Sequence, residues 1–140
     1  MTNHEVASLL RGVAAAYRIK DEGKFRFQIM AYDKAADAIE ATSEHLEILA
    51  KDGNLTSVAG IGPSLAGHID ELFKTGKVKH FDWVMEDVPQ ALFPLLEIPS
   101  FGPKKAYKLV KYFKFENPKT VINDVEKVAK EGKIASLPSF

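Results

Sequence analysis

An all-α fold is predicted by three features of this chain. Apolar residues recur at the helical period through its first third, no run alternates long enough to make a strand, and a Gly- and Pro-bearing phrase returns about every 40 residues. With 140 residues, 46% of them apolar, the chain can bury a core as one domain or as two small ones.

The first helix opens on Thr2 and Glu5, which stand at capping-box spacing, and Val6, Leu9, Leu10, Val13 and Tyr17 then follow the 3.6-residue period. Gly23 ends that segment. A second helix is expected from about Phe25 to Ala41, with Phe25, Ile29, Tyr32, Ala36 and Ile39 on one face. A shorter one, around Glu44 to Lys51, stops at Asp52-Gly53. Beyond it the chain breaks into short pieces punctuated by Gly and Pro.

Those pieces repeat. Lys51-Asp52-Gly53-Asn54-Leu55-Thr56-Ser57-Val58 matches Lys130-Glu131-Gly132-Lys133-Ile134-Ala135-Ser136-Leu137 at an offset of 79 residues. Val58-Ala59-Gly60-Ile61-Gly62-Pro63, Ile98-Pro99-Ser100-Phe101-Gly102-Pro103 and Leu137-Pro138-Ser139-Phe140 are three copies of one phrase, spaced by 40 and then 39 residues. The third copy stops before its Gly and Pro, which suggests a chain cut from a longer protein.

In each complete copy an apolar residue precedes a tight Gly-containing turn, and Pro stands where the first turn of a helix begins. Proline is tolerated there because the first helical N–H has no intrahelical partner. The arrangement leaves N–H groups of the turn and of the helix start facing outward, reinforced by the helix dipole, and so suits a phosphate oxygen. It reads no bases, so sequence-independent binding of a nucleic-acid backbone is expected. An ordinary connection between two helices also uses Gly and Pro. Two copies and part of a third favour helix-hairpin-helix elements, with Gly60, Gly62 and Gly102 at the phosphate. Ser100 replaces the glycine found at Gly60, which predicts strain if that position needs positive φ.

Net charge is zero, but it is unevenly spread. Residues 1–56 hold 7 Lys/Arg against 9 Asp/Glu, and residues 57–100 hold 3 against 6. Residues 101–119 hold 6 lysines against the single Glu116. Lys104, Lys108 and Lys111 fall on one helical face, with Lys105 and Lys114 beside them and Ala106, Leu109, Val110 and Phe113 on the apolar face. Such a stripe is either a solvated face or, next to a phosphate-binding hairpin, part of the grip on DNA.

With no cysteine, the chain has no disulfide, thiolate metal site or thiol nucleophile. No apolar run approaches membrane-spanning length and the N-terminus has no signal pattern. A cytoplasmic protein is expected, nucleoid-associated if prokaryotic, without a membrane partner and monomeric.

The chain also resembles the N-terminal half of family X DNA polymerases, the polymerase beta/PolX group. The resemblance rests on Phe25-Arg26 before Ala31-Tyr32-Asp33-Lys34-Ala35-Ala36, on Gly60-Ile61-Gly62-Pro63-Ser64-Leu65-Ala66-Gly67-His68-Ile69-Asp70-Glu71, on Thr75-Gly76-Lys77, and on the phrase from Leu95 to Ala106. It implies a helical lyase-like domain over 1–81, holding the first hairpin, and a second small helix-hairpin-helix subdomain over 82–140, truncated at a third. It also implies that the first hairpin grips the strand downstream of a gap, near its 5′-phosphate, and the second grips the primer strand. A Na⁺ or K⁺ ion is implied on the carbonyls of Thr56, Val58 and Ile61, and another on those of Leu96, Ile98 and Phe101. The family's Mg²⁺ ions belong to a palm domain downstream of this chain, so no polymerase active site is expected here.

Lyase chemistry in that family starts from a lysine amine that forms a Schiff base. The matching position here is His68, and two neighbouring pocket lysines correspond to Ser64 and Gln28. Ser64 and His68 remain candidates for holding a phosphate, although His68 equally reads as a partly exposed helix residue. Tyr32 matches the family's pocket tyrosine, and by its spacing is equally a core residue.

Three functions compete. The first is sequence-independent binding of DNA backbone phosphates at gaps, nicks or primer-template junctions, as the N-terminal fragment of a repair polymerase. The second is a deoxyribose-phosphate lyase using another lysine, such as Lys34 or Lys74. The third is a helical interaction scaffold, for which Trp83, Phe93 and Phe101 are available, although these aromatics are expected in the core.

Overall fold

A computed structural model describes residues 1–98 and 101–133, and these residues are helical with no strand among them. They form two compact units, one from Met1 to Glu86 and one from Asp87 onward.

The first unit is built on helix α1, Asn3–Asp21. Its start is fixed by the capping box. The Glu5 N–H donates to Thr2 Oγ1 at 3.1 Å and the Thr2 N–H donates to Glu5 Oε1 at 3.0 Å. Those bonds to the charged form, the backbone one first, hold the Glu5 carboxyl below its usual range. Val6, Leu10, Val13 and Tyr17 are buried as the period predicts, and Ala14, Ala15 and Ala16 are buried with them. So much burial on a run of small residues marks a central helix that lets its neighbours approach closely. Helix α2, Arg26–Ala41, packs along α1 and meets it with Ile29, Ala35, Ala36 and Ile39. Arg11 donates to Asp37 and Glu40 at 3.0 and 3.1 Å, and Arg18 to Asp33 at 2.8 Å. These pairs are partly exposed and contribute little beyond register.

Helix α3, Leu46–Lys51, is tied back to α1 by Asn3, which accepts from the Leu46 N–H at 3.0 Å and donates to the Glu44 carbonyl at 2.7 Å. It ends at Gly53, whose φ of +70° turns the chain into a single 3₁₀ turn, Leu55–Ser57. Helices α4, Pro63–Thr75, and α5, Lys79–Met85, complete the unit. Glu71 on α4 caps α5, its Oε2 accepting from the Lys79 N–H at 2.9 Å. A domain boundary after Phe81, as the sequence suggested, falls inside α5. That helix buries Phe81 and Val84 and packs on α1, so it stays with the first unit to Glu86.

The second unit contains α6, Leu92–Leu95, packed on α7, Pro103–Phe113, and on α8, Val121–Lys130. Its core is Leu92, Leu95, Ala106, Leu109, Val110, Val121 and Val125. The offset-79 repeat has a structural counterpart up to Lys133. Gly132, at φ +73°, ends α8 as Gly53 ends α3. The Lys133 N–H reaches the Val128 carbonyl at 3.1 Å, as the Asn54 N–H reaches that of Leu49 at 2.8 Å. The rest of that repeat and the third copy of the hairpin phrase lie outside the described residues.

Candidate nucleic-acid interface

The two complete hairpins share one backbone construction. In the first, the Ile61 N–H donates to the Val58 carbonyl at 3.0 Å, and Gly62 (φ −86°, ψ 176°) leads into Pro63 at the start of α4. In the second, the Phe101 N–H donates to the Ile98 carbonyl at 3.1 Å, and Gly102 (φ −79°, ψ 163°) leads into Pro103 at the start of α7. Both helices then close their first turn on that glycine, Ala66 to Gly62 at 2.9 Å and Ala106 to Gly102 at 3.0 Å. Among the described residues no side-chain cap is seen on either helix. The N-cap glycine of each helix has no side chain with which to cap the first-turn N–H groups.

The glycines divide by function. Gly60 sits at φ +94°, so its conformation needs glycine, and the turn it makes lies beside Lys34 and Ala35 of α2. Gly62 and Gly102 have ordinary extended backbones with open space where a Cβ would stand. Neither conformation nor packing therefore requires glycine at these two positions. Ser100, the counterpart of Gly60, lies outside the described residues.

Around the first hairpin Ser64 is exposed in the first turn of α4, and His68 is half-buried one turn further on. The His68 ring stacks on that of His80, with centroids 5.0 Å apart and planes at 9°, and packs against Phe81 at 5.4 Å. Desolvation first, and then His80, push the His68 imidazole below its ordinary value, while Glu71 pulls the other way. The His80 Nε2 lies 2.9 Å from the Tyr17 hydroxyl. Burial raises the Tyr17 phenol above its ordinary value, so the hydroxyl keeps its proton in that contact. Tyr32 is in the core, its ring between Tyr17 (5.9 Å) and Phe81 (5.7 Å), and burial, with Tyr17 second, pushes its hydroxyl up to about 12. Of its two readings, the structure places it with the core residues.

Trp83, expected in the core, is 56% exposed. Phe81 and Val84 take the buried side of α5, and Trp83 lies two residues from Phe81, about 200° around the helix. Phe93 and Phe101 are half-buried. Tyr17 was legible in the sequence only as part of the apolar period of α1, and His80 and Lys20 carried no signal. They join His68 and Trp83 only because α1, α4 and α5 meet.

On α7, Lys104, Lys105, Lys108 and Lys111 are all exposed, opposite buried Ala106, Leu109 and Val110. The Lys111 ammonium lies 5.7 Å from the Tyr107 ring centroid. Of the lysines considered for lyase chemistry, Lys74 is held by Asp70 at 2.7 Å and the stem of Lys34 passes beside Gly60. Among the described residues there is no group of three or more His, Cys, Asp or Glu able to hold a metal, and no helix long and apolar enough to cross a membrane.

Residues 1–78 match the family model of the helix-hairpin-helix domain. The chain is also 31% identical, over 111 residues, to the protein named DNA polymerase/3′-5′ exonuclease PolX of Bacillus subtilis (strain 168). The match covers 79% of this chain and 19% of that protein.

Proposed function

This chain belongs to the helix-hairpin-helix domain family, and from that premise we propose that it binds the sugar-phosphate backbone of DNA at gaps and nicks, without reading sequence, as the N-terminal part of a family X repair polymerase. The observation that carries the reading is the second copy of the hairpin. The same turn bond, the same extended glycine and the same helix-opening proline occur at Val58–Pro63 and at Ile98–Pro103. The repetition of this construction, with a glycine N-cap each time, supports a shared role beyond joining two helices.

In this reading a phosphate oxygen accepts from the N–H groups of the turn and first helical turn, with the helix dipole adding its positive end. At the first hairpin the grip rests on the backbone, since Ser64 and His68 bring no fixed cation. At the second, Lys104, Lys105, Lys108 and Lys111 add charge that tracks the strand. The first hairpin takes the strand bearing the 5′-phosphate and the second the primer strand. A Na⁺ or K⁺ ion fits the carbonyls of Thr56, Val58 and Ile61 and those of Leu96, Ile98 and Phe101. These are neutral oxygens, and the Val58 and Ile98 carbonyls each accept one turn hydrogen bond and keep a second lone pair.

Fluorescence anisotropy with a 5′-phosphorylated gap, a nick, a primer-template and an intact duplex tests the proposal across a salt series. Tighter binding to the phosphorylated gap than to intact duplex, weakening steeply with salt, is expected. Equal affinity for gap and intact duplex, or none for either, overturns it. Borohydride treatment on abasic DNA checks the lyase alternative in the same samples, since only a Schiff base leaves a covalent adduct.

A further inference from the structure

The one tryptophan of this chain is out of place as a core residue. Trp83 leaves 56% of its surface in solvent, although an indole is among the costliest side chains to leave wet. On α5 and just after it, the exposed residues around it are Lys79, Asp82 and Glu86. A protein docking face would surround the ring with further apolar surface. What this site offers is one flat ring in polar company.

The ring is also positioned. His68, His80 and Trp83 form a row that runs from the first hairpin's helix to α5, with centroids 5.0 Å apart from His68 to His80 and 5.9 Å from His80 to Trp83. The inner part of the row is anchored, His80 by the Tyr17 hydroxyl and both histidines by Phe81. At the outer end the Lys20 ammonium, carried by α1, lies 5.5 Å from the indole centroid. The row starts on α4 five residues after Pro63, about 7–8 Å along the helix axis from the hairpin. A phosphate at the hairpin and a ring on Trp83 are therefore within reach of one stretch of DNA.

We propose that Trp83 is a stacking platform for an unpaired nucleobase of the strand whose backbone the first hairpin holds, with Lys20 swinging from the indole to that nucleotide's phosphate. The inference rests on the backbone-binding reading and adds to it a preference for unpaired nucleotides. Every base has a π face, so the platform is indifferent to sequence, in keeping with the hairpins. A paired base has its faces covered by its neighbours and cannot use it. The flexible stem of Lys20 lets the cation cover the indole in free protein and follow the phosphate when a base arrives.

Because Trp83 is the sole tryptophan, its own fluorescence reports the contact. The full chain is titrated with three DNAs: a duplex with a gap of unpaired thymines, the same duplex with abasic residues in the gap, and an intact duplex. Quenching is expected with the thymine gap and not with the other two. W83A lowers affinity for the thymine gap about tenfold and leaves the abasic gap within about twofold, and W83F restores most of the loss. A melting curve of W83A that matches the parent's shows that the fold is intact, as the exposure of the ring leads one to expect. If W83A does not fold, quenching in the parent protein still decides. Salt-sensitive binding in which thymine and abasic gaps behave alike, or quenching by all three DNAs, overturns the stacking platform and leaves backbone binding standing. No binding to any of the three overturns the backbone reading itself.

Discussion

The two hairpins share a turn bond, an extended glycine and a helix-opening proline, and they differ in their surroundings. The first helix to leave a hairpin, α4, carries one lysine, Lys74 in its last turn, and that one is paired with Asp70. The second, α7, carries four exposed lysines and no acid. The first turn is shaped by Gly60 at φ +94°, while the second has Ser100 in that place. Helix α4 ends on Gly76 at φ +83°, whereas α7 ends on Lys114, the one described non-glycine residue at positive φ, +55°. All four histidines lie in the first unit. One backbone device is thus combined with two kinds of electrostatics: uncharged N–H groups near a titratable ring row, and fixed cations at the cost of some backbone strain.

The largest expected effect breaks the second hairpin. Reversing Lys104, Lys108 and Lys111 to Glu lowers DNA affinity on the order of a hundredfold at low salt and flattens the slope of log K against log salt by roughly three. S64K moves the first hairpin the other way, steepening the slope by about one. Anisotropy titrations at several salt concentrations measure both, and an unchanged slope for the triple variant returns the lysines to the status of a solvated face.

The second test separates fold from binding within the first hairpin. G60A forces alanine to φ +94° and costs about 1–3 kcal/mol of stability. G62A meets no atom within 4 Å and stays within about 0.5 kcal/mol of the parent, yet it weakens DNA binding by crowding the phosphate. Denaturant titration of both variants beside DNA binding gives the contrast. Similar stability losses in the two would sink this division.

The helix ends come next. K114G relieves a left-handed lysine and is expected to stabilise the protein by about 1 kcal/mol, and G76K to destabilise it by about as much. Thermal melts read both. If K114G also lowers DNA affinity, the strain is kept for the sake of the charge.

The smallest effect is a pH dependence, which at mildly acidic pH comes from His68. The His68 imidazole is held below its ordinary 6.5 when folded, so between that value and its lower folded pKa the unfolded chain binds more protons. The His68 contribution to stability is therefore complete above about pH 6.5, falls as pH drops from there toward the folded pKa, and then levels off. The low-lying carboxyls of Glu5 and Glu40 act only below their ordinary 4.5. H68N removes the mildly acidic slope and leaves the carboxyl one. Denaturant midpoints from pH 4 to pH 8 distinguish the two.

Much of this was legible along the chain because it is local. A capping box needs only Thr2 and Glu5. The hairpin needs only its glycines and its Pro63 or Pro103, because proline fixes its own φ and supplies no N–H. The repeat of Lys51–Val58 in the later segment has its local counterpart in Gly53 and Gly132, which end their helices alike. Trp83 shows where such reading stops. On α5 the pair Phe81 and Val84 and the pair His80 and Trp83 are both three residues apart, so the period alone offers two stripes and does not say which one is covered.

The sequence by itself therefore determined the first three helices, the helix starts at Pro63 and Pro103 and the position of the surplus lysines, since each depends on φ preferences, caps and charges within a few residues. Tertiary structure alone decided that Phe81 rather than Trp83 faces the core, that Tyr32 is buried, and that His68, from α4, stacks on His80, from α5, beside Tyr17 and Lys20 of α1. Those residues are up to 63 positions apart, and only the packing of three helices brings them together.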